Sequence, residues 1–327
     1  MSETTYRAAV IRALHDELAA DEDVVLIGED VGAAGGVFKA TEGLFERFGG
    51  ERVRDTPISE QAIVGCALGA AVAGLRPVAE IMFADFAAVC FDQIVNQLAK
   101  HAYMTDGQMS APVCLRLVNG AGGGFGAQHS QAVEQWFLGQ PGLKVCVPGT
   151  PADVYGLLRA AIRDPEPVLV FEHKGLYGRK GELPDEPEPV EIGRAAVARA
   201  GRDVTVVATQ LMRERALEAA ELLAAEGVEL EVIDPRTLVP FDWDCVAASV
   251  ARTSRLLCVQ ESAPGGGWGE TVVAGAVERC FDDLDAPPLV LSGKDEPIPF
   301  AGPLEAAWLP SAEAIAAAAH ALVEGRR

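Results

Sequence analysis

Apolar positions recur at two periods along this chain, and the two alternate. Tyr6 to Leu18 carries apolar residues at helical spacing and stops at the acidic run Asp21–Asp23. Val24-Val25-Leu26-Ile27-Gly28 follows without a polar residue, which predicts a strand buried on both faces. A flexible Gly32–Gly36 loop and a short helix over Thr41–Phe48 come next. Gln61 to Gly74 holds no charge, and Gly65, Gly69, Ala70, Ala73 and Gly74 are small. A helix apolar all round is expected to be buried. Strands are predicted at Pro77–Met82, Val113–Val118, Lys144–Val147 and Val168–Glu172, with helices at Asp85–Tyr103 and Pro151–Arg163.

The alternation breaks at Lys180–Pro189, where prolines and acids predict an exposed linker. A second block follows. Strands are predicted at Val204–Ala208, Val228–Ile233, Arg255–Val259 and Leu289–Leu291. Helices are predicted at Met212–Glu226, Asp242–Ala251, Gly269–Phe281 and Ser311–Val323. Strand and helix in turn predict an α/β protein with parallel sheets covered by helices. The division is two domains, 1–182 and 190–327, with a linker at 183–189.

Composition narrows the function. With 327 residues, 49% of them apolar, the chain can bury two cores. The N-terminus MSETTYRAAVIR lacks the apolar stretch of a signal peptide, and no uninterrupted apolar run approaches a membrane span. A net charge of −21 argues against nucleic acid and suits docking to a basic partner; solubility alone is the other reading. Cysteines 66, 90, 114, 146, 245, 258 and 280 are scattered, with no CxxC pair. They predict buried, reduced thiols and a cytoplasmic protein.

Candidate chemistry collects at three places. Glu60 stands where DTPISE meets the apolar helix. Desolvation there favours the protonated carboxyl and the helix N-terminus favours the anion, so a proton can exchange near neutral pH. The alternative is a first-turn acid beside an N-cap Ser59. Gly122–Ala127 fits the GxGxxA turn of dinucleotide-binding folds, but QHSQAVEQW follows instead of an apolar helix, and no acidic residue closes a second strand about 20 positions on. A glycine loop that lets backbone approach a ligand is the better reading. His129 follows that loop, and with a reference pKa of about 6.5 it can move protons, although a loop histidine without chemistry is the other reading. Ser130 adjoins it in sequence, which does not build a serine triad, and no G-x-S-x-G, P-loop or HExxH occurs. Phe83, Phe86 and Phe91 cluster in FADFAAVCF as core residues or as a face for a flat ring.

Taken together these stretches resemble the β subunit of the thiamine-diphosphate-dependent 2-oxoacid dehydrogenase E1 component, a family with pyruvate, branched-chain 2-oxoacid and acetoin members. The matching pieces are LIGEDV (26–31), DTPISE (55–60), GAAVAGLRPVAE (69–80), FDQIVNQ (91–97), AQHSQ (127–131), PGLKVCVP (141–148) and AAIRDPEPV (160–168). EVIDPRTLVPFD (231–242) and PFAGPLEAAWLPS (299–311) extend the match through the second domain. Each motif is moderately specific; their order and spacing over nearly the whole chain are highly so.

The resemblance implies a transketolase-like pyrimidine-binding domain followed by a transketolase C-terminal domain, in an α2β2 heterotetramer. Thiamine diphosphate is then shared with an α subunit. That subunit would hold Mg²⁺ and the diphosphate through a Gly-Asp-Gly…Asn motif absent from this sequence. The family's glutamate at Glu60 hydrogen-bonds N1′ of the aminopyrimidine, and proton sharing there promotes loss of the thiazolium C2 proton. Phe86 matches the aromatic near the pyrimidine. His129 matches the histidine implicated in acyl transfer to lipoyl-lysine of the E2 acyltransferase. Glu29 and Asp92 match acids on the path between the two cofactors. The carbonyls of Val113, Ala161, Ile162, Asp164 and Glu166 match a K⁺ site. The C-terminal domain would dock the basic subunit-binding domain of E2, although this chain departs from the pattern in ending VEGRR. FADF (83–86) and FEHKGLYG (171–178) look closer to acetoin or branched-chain members than to pyruvate ones. The competing readings are a self-sufficient transketolase-like enzyme and a non-catalytic scaffold that docks E2.

Overall fold

The computed structural model of the chain describes residues 2–185, 187 and 190–325. Three positions of the expected linker (186, 188 and 189) and the Arg326-Arg327 tail lie outside the described residues. The structure divides into two compact units, residues 1–119 with 136–192, and residues 120–135 with 193–327.

The first unit runs through β1 (Ser2–Thr5), α1 (Tyr6–Ala20), β2 (Val24–Glu29), α2 (Leu44–Phe48), β3 (Val53–Thr56), α3 (Glu60–Val72) and β4 (Arg76–Ile81). It continues with α4 (His101–Met104), β5 (Cys114–Asn119), β6 (Lys144–Cys146), α5 (Pro151–Arg163), β7 (Val168–His173) and β8 (Lys180–Leu183). Its large sheet orders these strands β6-β7-β5-β4-β2-β3, all parallel. Strands β5 and β7 are buried at every position, as continuous apolar runs predict. One face is covered by α1 and α5, whose buried residues join the strand core. These two helices are tied by Glu17, which accepts from Arg159 Nε at 2.6 Å and Arg163 Nε at 2.8 Å.

Five expectations are corrected. The Asp85–Tyr103 helix is broken into a 3₁₀ turn (Ala84–Ala88), a π turn (Gln93–Leu98) and α4. The small side of α3 approaches closely there: a Cβ on Gly65 would meet Gln93 Oε1 at 3.3 Å. Lys180–Leu183 is not linker but a strand, because it pairs antiparallel with β1 at the opposite end of the sequence. The Thr41–Phe48 helix shortens to α2. Helix α3 buries Ile63, Val64, Ala67 and Ala71, and leaves Ala62, Cys66, Gly69, Val72 and Ala73 exposed. Its apolarity therefore exceeds what this chain alone covers. Cys66 is exposed and Cys245 half-buried, contrary to a uniformly buried set, although all seven cysteines are free.

The second unit comprises β9 (Ala196–Arg199), β10 (Val204–Ala208), α6 (Gln210–Ala224), β11 (Leu230–Asp234), β12 (Thr237–Val239), α7 (Trp243–Thr253) and β13 (Leu256–Val259). It ends with α8 (Trp268–Cys280), β14 (Leu289–Leu291), α9 (Gly302–Trp308) and α10 (Ala312–Val323). Its sheet orders β14-β13-β10-β11-β9, with β9 antiparallel. Gly302–Val323 has the length and apolarity of a membrane span. It is two helices separated at Leu309–Ser311, and Ile315, Ala319 and Leu322 pack into the core of this unit.

A buried charge network, unmarked in the sequence, crosses the centre of the first sheet. Arg116 on β5 is fully buried. It donates to Glu172 of β7 through Nε at 2.6 Å and Nη2 at 2.8 Å, and through Nη1 to Glu80 of β4. Tyr177 Oη donates to Glu172 at 2.8 Å. Burial raises the Glu80 carboxyl above its usual range against the opposing pull of Arg116. Removing one member of such a network strands a buried charge. Arg116→Ala is expected to cost about 3–5 kcal/mol, read from the denaturant midpoint. A loss below about 1 kcal/mol would show that the network does not hold the sheet.

Candidate functional site

Parallel strands send the chain out at their carboxyl ends, and a helix that follows a strand starts at that edge. Glu29 ends β2, and α3 begins at Glu60 a few residues after β3, the neighbour of β2. Glu29 is raised above the usual range by burial first, then by the charges of Asp30 and Glu60. Ser59 flanks the helix but makes no side-chain cap, so the plain first-turn capping arrangement is not what places Glu60. Glu60 is half-buried.

Phe86 lies in the 3₁₀ turn after β4, half-buried, with its ring edge-on to Phe83 at 6.2 Å. Phe83 in turn meets Phe38 edge-on at 5.4 Å. Cys90 links this aromatic segment to the acidic pair. Its thiol donates to Phe86 O at 3.7 Å, and burial and then the Glu60 charge push it up to about 12. Glu29, Glu60 and the Phe86 turn are thus brought together at one edge of one sheet. Asp92 is placed differently: it is exposed and accepts from Asn96 Nδ2 at 2.7 Å across the π turn.

Of the five carbonyls expected at a K⁺ site, two already accept hydrogen bonds. Val113 O takes Val168 N–H at 3.0 Å, and Ile162 O takes Arg76 Nη1 at 3.2 Å. Asp164 caps α5 and binds Lys144 Nζ at 2.7 Å, while its Oδ1 accepts from Glu166 N–H at 2.9 Å. A carbonyl keeps a second lone pair, but the Arg76 guanidinium next to Ile162 O opposes a second cation there.

In the second unit the glycine loop closes on itself. Gly120 N–H donates to Gln131 O at 3.1 Å, and His129 N–H to Gly126 O at 3.3 Å. Gly120, Gly122, Gly124 and Gly126 all have positive φ, from 68° to 99°. An L side chain is strained at each, so the glycine spacing serves this backbone path rather than a dinucleotide turn. His129 is half-buried at the end of the loop, and Ser130 is fully buried, which removes it as a nucleophile. Ala127 and Gln131 form part of the wall of a cavity of about 430 Å³, opposite Ser262, Ile298 and Trp308. Sequence reading missed Glu261 and Glu305, whose carboxylates end on this loop. Only the fold brings positions so distant in sequence to it.

The family described as transketolase, pyrimidine binding domain, matches residues 2–180, and transketolase, C-terminal domain, matches residues 193–315. The chain is 45% identical to the acetoin:2,6-dichlorophenolindophenol oxidoreductase subunit beta of Cupriavidus necator, over 98% of this chain and 97% of that protein. It is 43% identical to the 2-oxoisovalerate dehydrogenase subunit beta of Bacillus subtilis, over 99% and 100%. It is 44% identical to the mitochondrial pyruvate dehydrogenase E1 component subunit beta-2 of Oryza sativa, over 97% and 85%. Among solved structures, a split-gene transketolase described as an inactive β4 tetramer superposes with a TM-score of 0.81 at 25% identity, over 98% of this chain and 99% of that one.

The thiols report on the geometry of α3 and the Phe86 turn. A thiol held at about 12, as Cys90 is, is thiolate at pH 8 in roughly one molecule in ten thousand. Alkylation of the native chain at pH 8, mapped by mass spectrometry, is therefore expected at exposed Cys66 well before buried Cys90, Cys114, Cys146 and Cys258. Equal labelling of Cys66 and Cys90 would contradict the packing described.

Proposed function

The chain belongs to the family of β subunits of 2-oxoacid dehydrogenase E1 components, oxidoreductases with the transketolase-like fold, and from that premise we propose how its own residues take part in the reaction. The observation that carries the proposal is Glu60 at the start of α3, coupled to Glu29 and joined through Cys90 to the Phe86 turn. A carboxylate flanked by an acid of raised pKa and an aromatic segment suits a flat, protonatable heterocycle.

In this reading the ligand is thiamine diphosphate, shared with an α subunit that holds the Mg²⁺ and the diphosphate. When bound, it supplies the carbon that accepts the electron pair released on decarboxylation or cleavage of the substrate. Glu60 would hydrogen-bond N1′ of the aminopyrimidine and share a proton there. Phe86 would pack near the ring. Glu29, its carboxyl raised by burial and then by the charges of Asp30 and Glu60, is a second acid beside Glu60 on the proposed proton path, and exposed Asp92 is a further acid of that path. His129 delivers a proton during acyl transfer to a lipoyl group of E2. The proposed bounds are a pyrimidine-binding domain at 1–182, a linker at 183–189 and a C-terminal domain at 190–327.

The partners in the proposal are an α subunit in an α2β2 heterotetramer and the E2 acyltransferase, through its lipoyl and basic subunit-binding domains. The exposed apolar face of α3 supports the first, since a run of small residues without a cover suits a subunit interface. The net charge of −21 supports the second. Seven free cysteines support a cytoplasmic location. The substrate is a small 2-oxoacid or acetoin, and a screen of pyruvate, branched-chain oxoacids and acetoin with the co-expressed α partner selects among them.

Glu60→Gln, assembled with that partner, is expected to lose about 10²- to 10⁴-fold in turnover, while gel filtration shows the same assembly. Full turnover by the variant, or turnover by the wild-type chain without a partner, would sink the assignment. K⁺ at the five carbonyls is part of the proposal, resting on lone pairs that hydrogen bonds leave open. It predicts that KCl raises the thermal midpoint by about 2–4 °C over choline chloride at matched ionic strength. An identical midpoint in the two salts would remove K⁺ from the scheme.

A further inference from the structure

Two buried carboxylates from the last quarter of the chain end on the backbone of the His129 loop, and nothing in the proton chemistry above requires them. Glu305, only 4% exposed, sits on α9. Its Oε1 accepts from Gly122 N–H at 3.0 Å and its Oε2 from Gly124 N–H at 2.9 Å. Glu261 follows β13, is 6% exposed, and accepts from Ala121 N–H. The left-handed conformations of Gly122 and Gly124 let alternate amides converge, and a concave set of backbone N–H groups binds an anion. Here the anion is the protein's own. Hydrogen bonds to a carboxylate are roughly twice as strong as neutral ones.

An apolar anchor lies beside this grip. Ala121 packs with Ile298, Trp308 and Leu309. Trp308 follows Glu305 by three positions, so the two share one side of α9. Its Nε1 donates to Glu296 O at 2.8 Å, which fixes the ring. The loop is thus seated by an apolar contact and oriented by two carboxylates just upstream of His129.

We propose that Glu305 is a positioning residue: by bridging the amides of Gly122 and Gly124 it holds the loop in the path that presents the His129 imidazole for acyl transfer. The inference rests on the reading of His129 given above. Gly122 is exposed and Gly124 half-buried, so water can replace the carboxylate when it is removed. Loss of Glu305 therefore loosens the loop rather than unfolding the unit.

The test uses the chain assembled with its α partner and an E2 lipoyl domain, comparing Glu305→Ala, Glu305→Gln and His129→Ala. Hydrogen exchange at residues 120–131 reads the loop. Decarboxylation into an artificial electron acceptor and reductive acylation of the lipoyl domain are measured separately. For Glu305→Ala, exchange at Gly122 and Gly124 is expected to rise about tenfold or more. Lipoyl acylation is expected to fall about 10- to 100-fold, with the artificial-acceptor rate held within about twofold. Glu305→Gln keeps one carbonyl acceptor and is expected to fall between, which also provides a folded background if the alanine variant is unstable. Unchanged exchange overturns the grip. Faster exchange with both rates intact, or with both rates falling alike, overturns the positioning role. If His129→Ala spares lipoyl acylation, the reading of His129 itself fails; if it impairs acylation and Glu305→Ala does not, the positioning proposal alone fails.

Discussion

The constraint that organises the first unit is burial of a parallel sheet on both faces. Such strands cannot turn back by hairpins, so every connection must leave at the carboxyl edge, run over a face and return to the opposite edge to begin the next strand. The carboxyl ends of β2, β3 and β4 then collect the segments that leave them. Glu29, the start of α3 and the Phe86 turn are neighbours for that reason, although they span residues 29 to 86. The Glu80–Arg116–Glu172 network lies across the same sheet. It fixes three adjacent strands by charge, which tolerates less slippage than apolar packing alone.

The second unit meets a different constraint. A loop rich in glycine has no side chains with which to pin itself, and its amides need acceptors. The chain supplies them from outside the loop, through Glu261 and Glu305. Left-handed glycines and distant carboxylates are two halves of one device. Either without the other leaves a loop that is free to wander or a pair of buried charges without donors.

Much of this was legible in the residues. Continuous apolar runs located the other parallel strands within a residue or two, because burial on both faces leaves one pattern, whereas β3, with Arg54 and Asp55 in its four residues, has no such run and was not anticipated. DTPISE ahead of an apolar helix located Glu60, since helix starts follow strand ends. The misses share a physical cause. β8 and β1 are short and form a strand pair only because they find each other across the whole first unit. The Asp85–Tyr103 segment was expected as one helix, and its division into tighter and wider turns goes with the close approach of α3 at Gly65 to Gln93. Arg116, Glu261 and Glu305 carry no signal of their own in the sequence, because a pairing with a partner distant along the chain leaves no local spacing.

Helix α3 shows where sequence and structure disagree most usefully. Its composition fits a helix buried all round, and this chain buries one side of it. The mismatch is not an error of periodicity, since Ile63, Val64, Ala67 and Ala71 fall on one helical face as expected. A chain gains nothing from keeping the exposed Ala62, Cys66, Gly69, Val72 and Ala73 free of charge unless another surface lies against them. That surface starts at Ala62, two residues past Glu60. The proposed partner subunit therefore reaches the carboxylate along the same helix that carries it. Water would leave the mouth of α3 as the subunits close, so the surroundings of Glu60 would be set by the assembled enzyme rather than by the β chain alone.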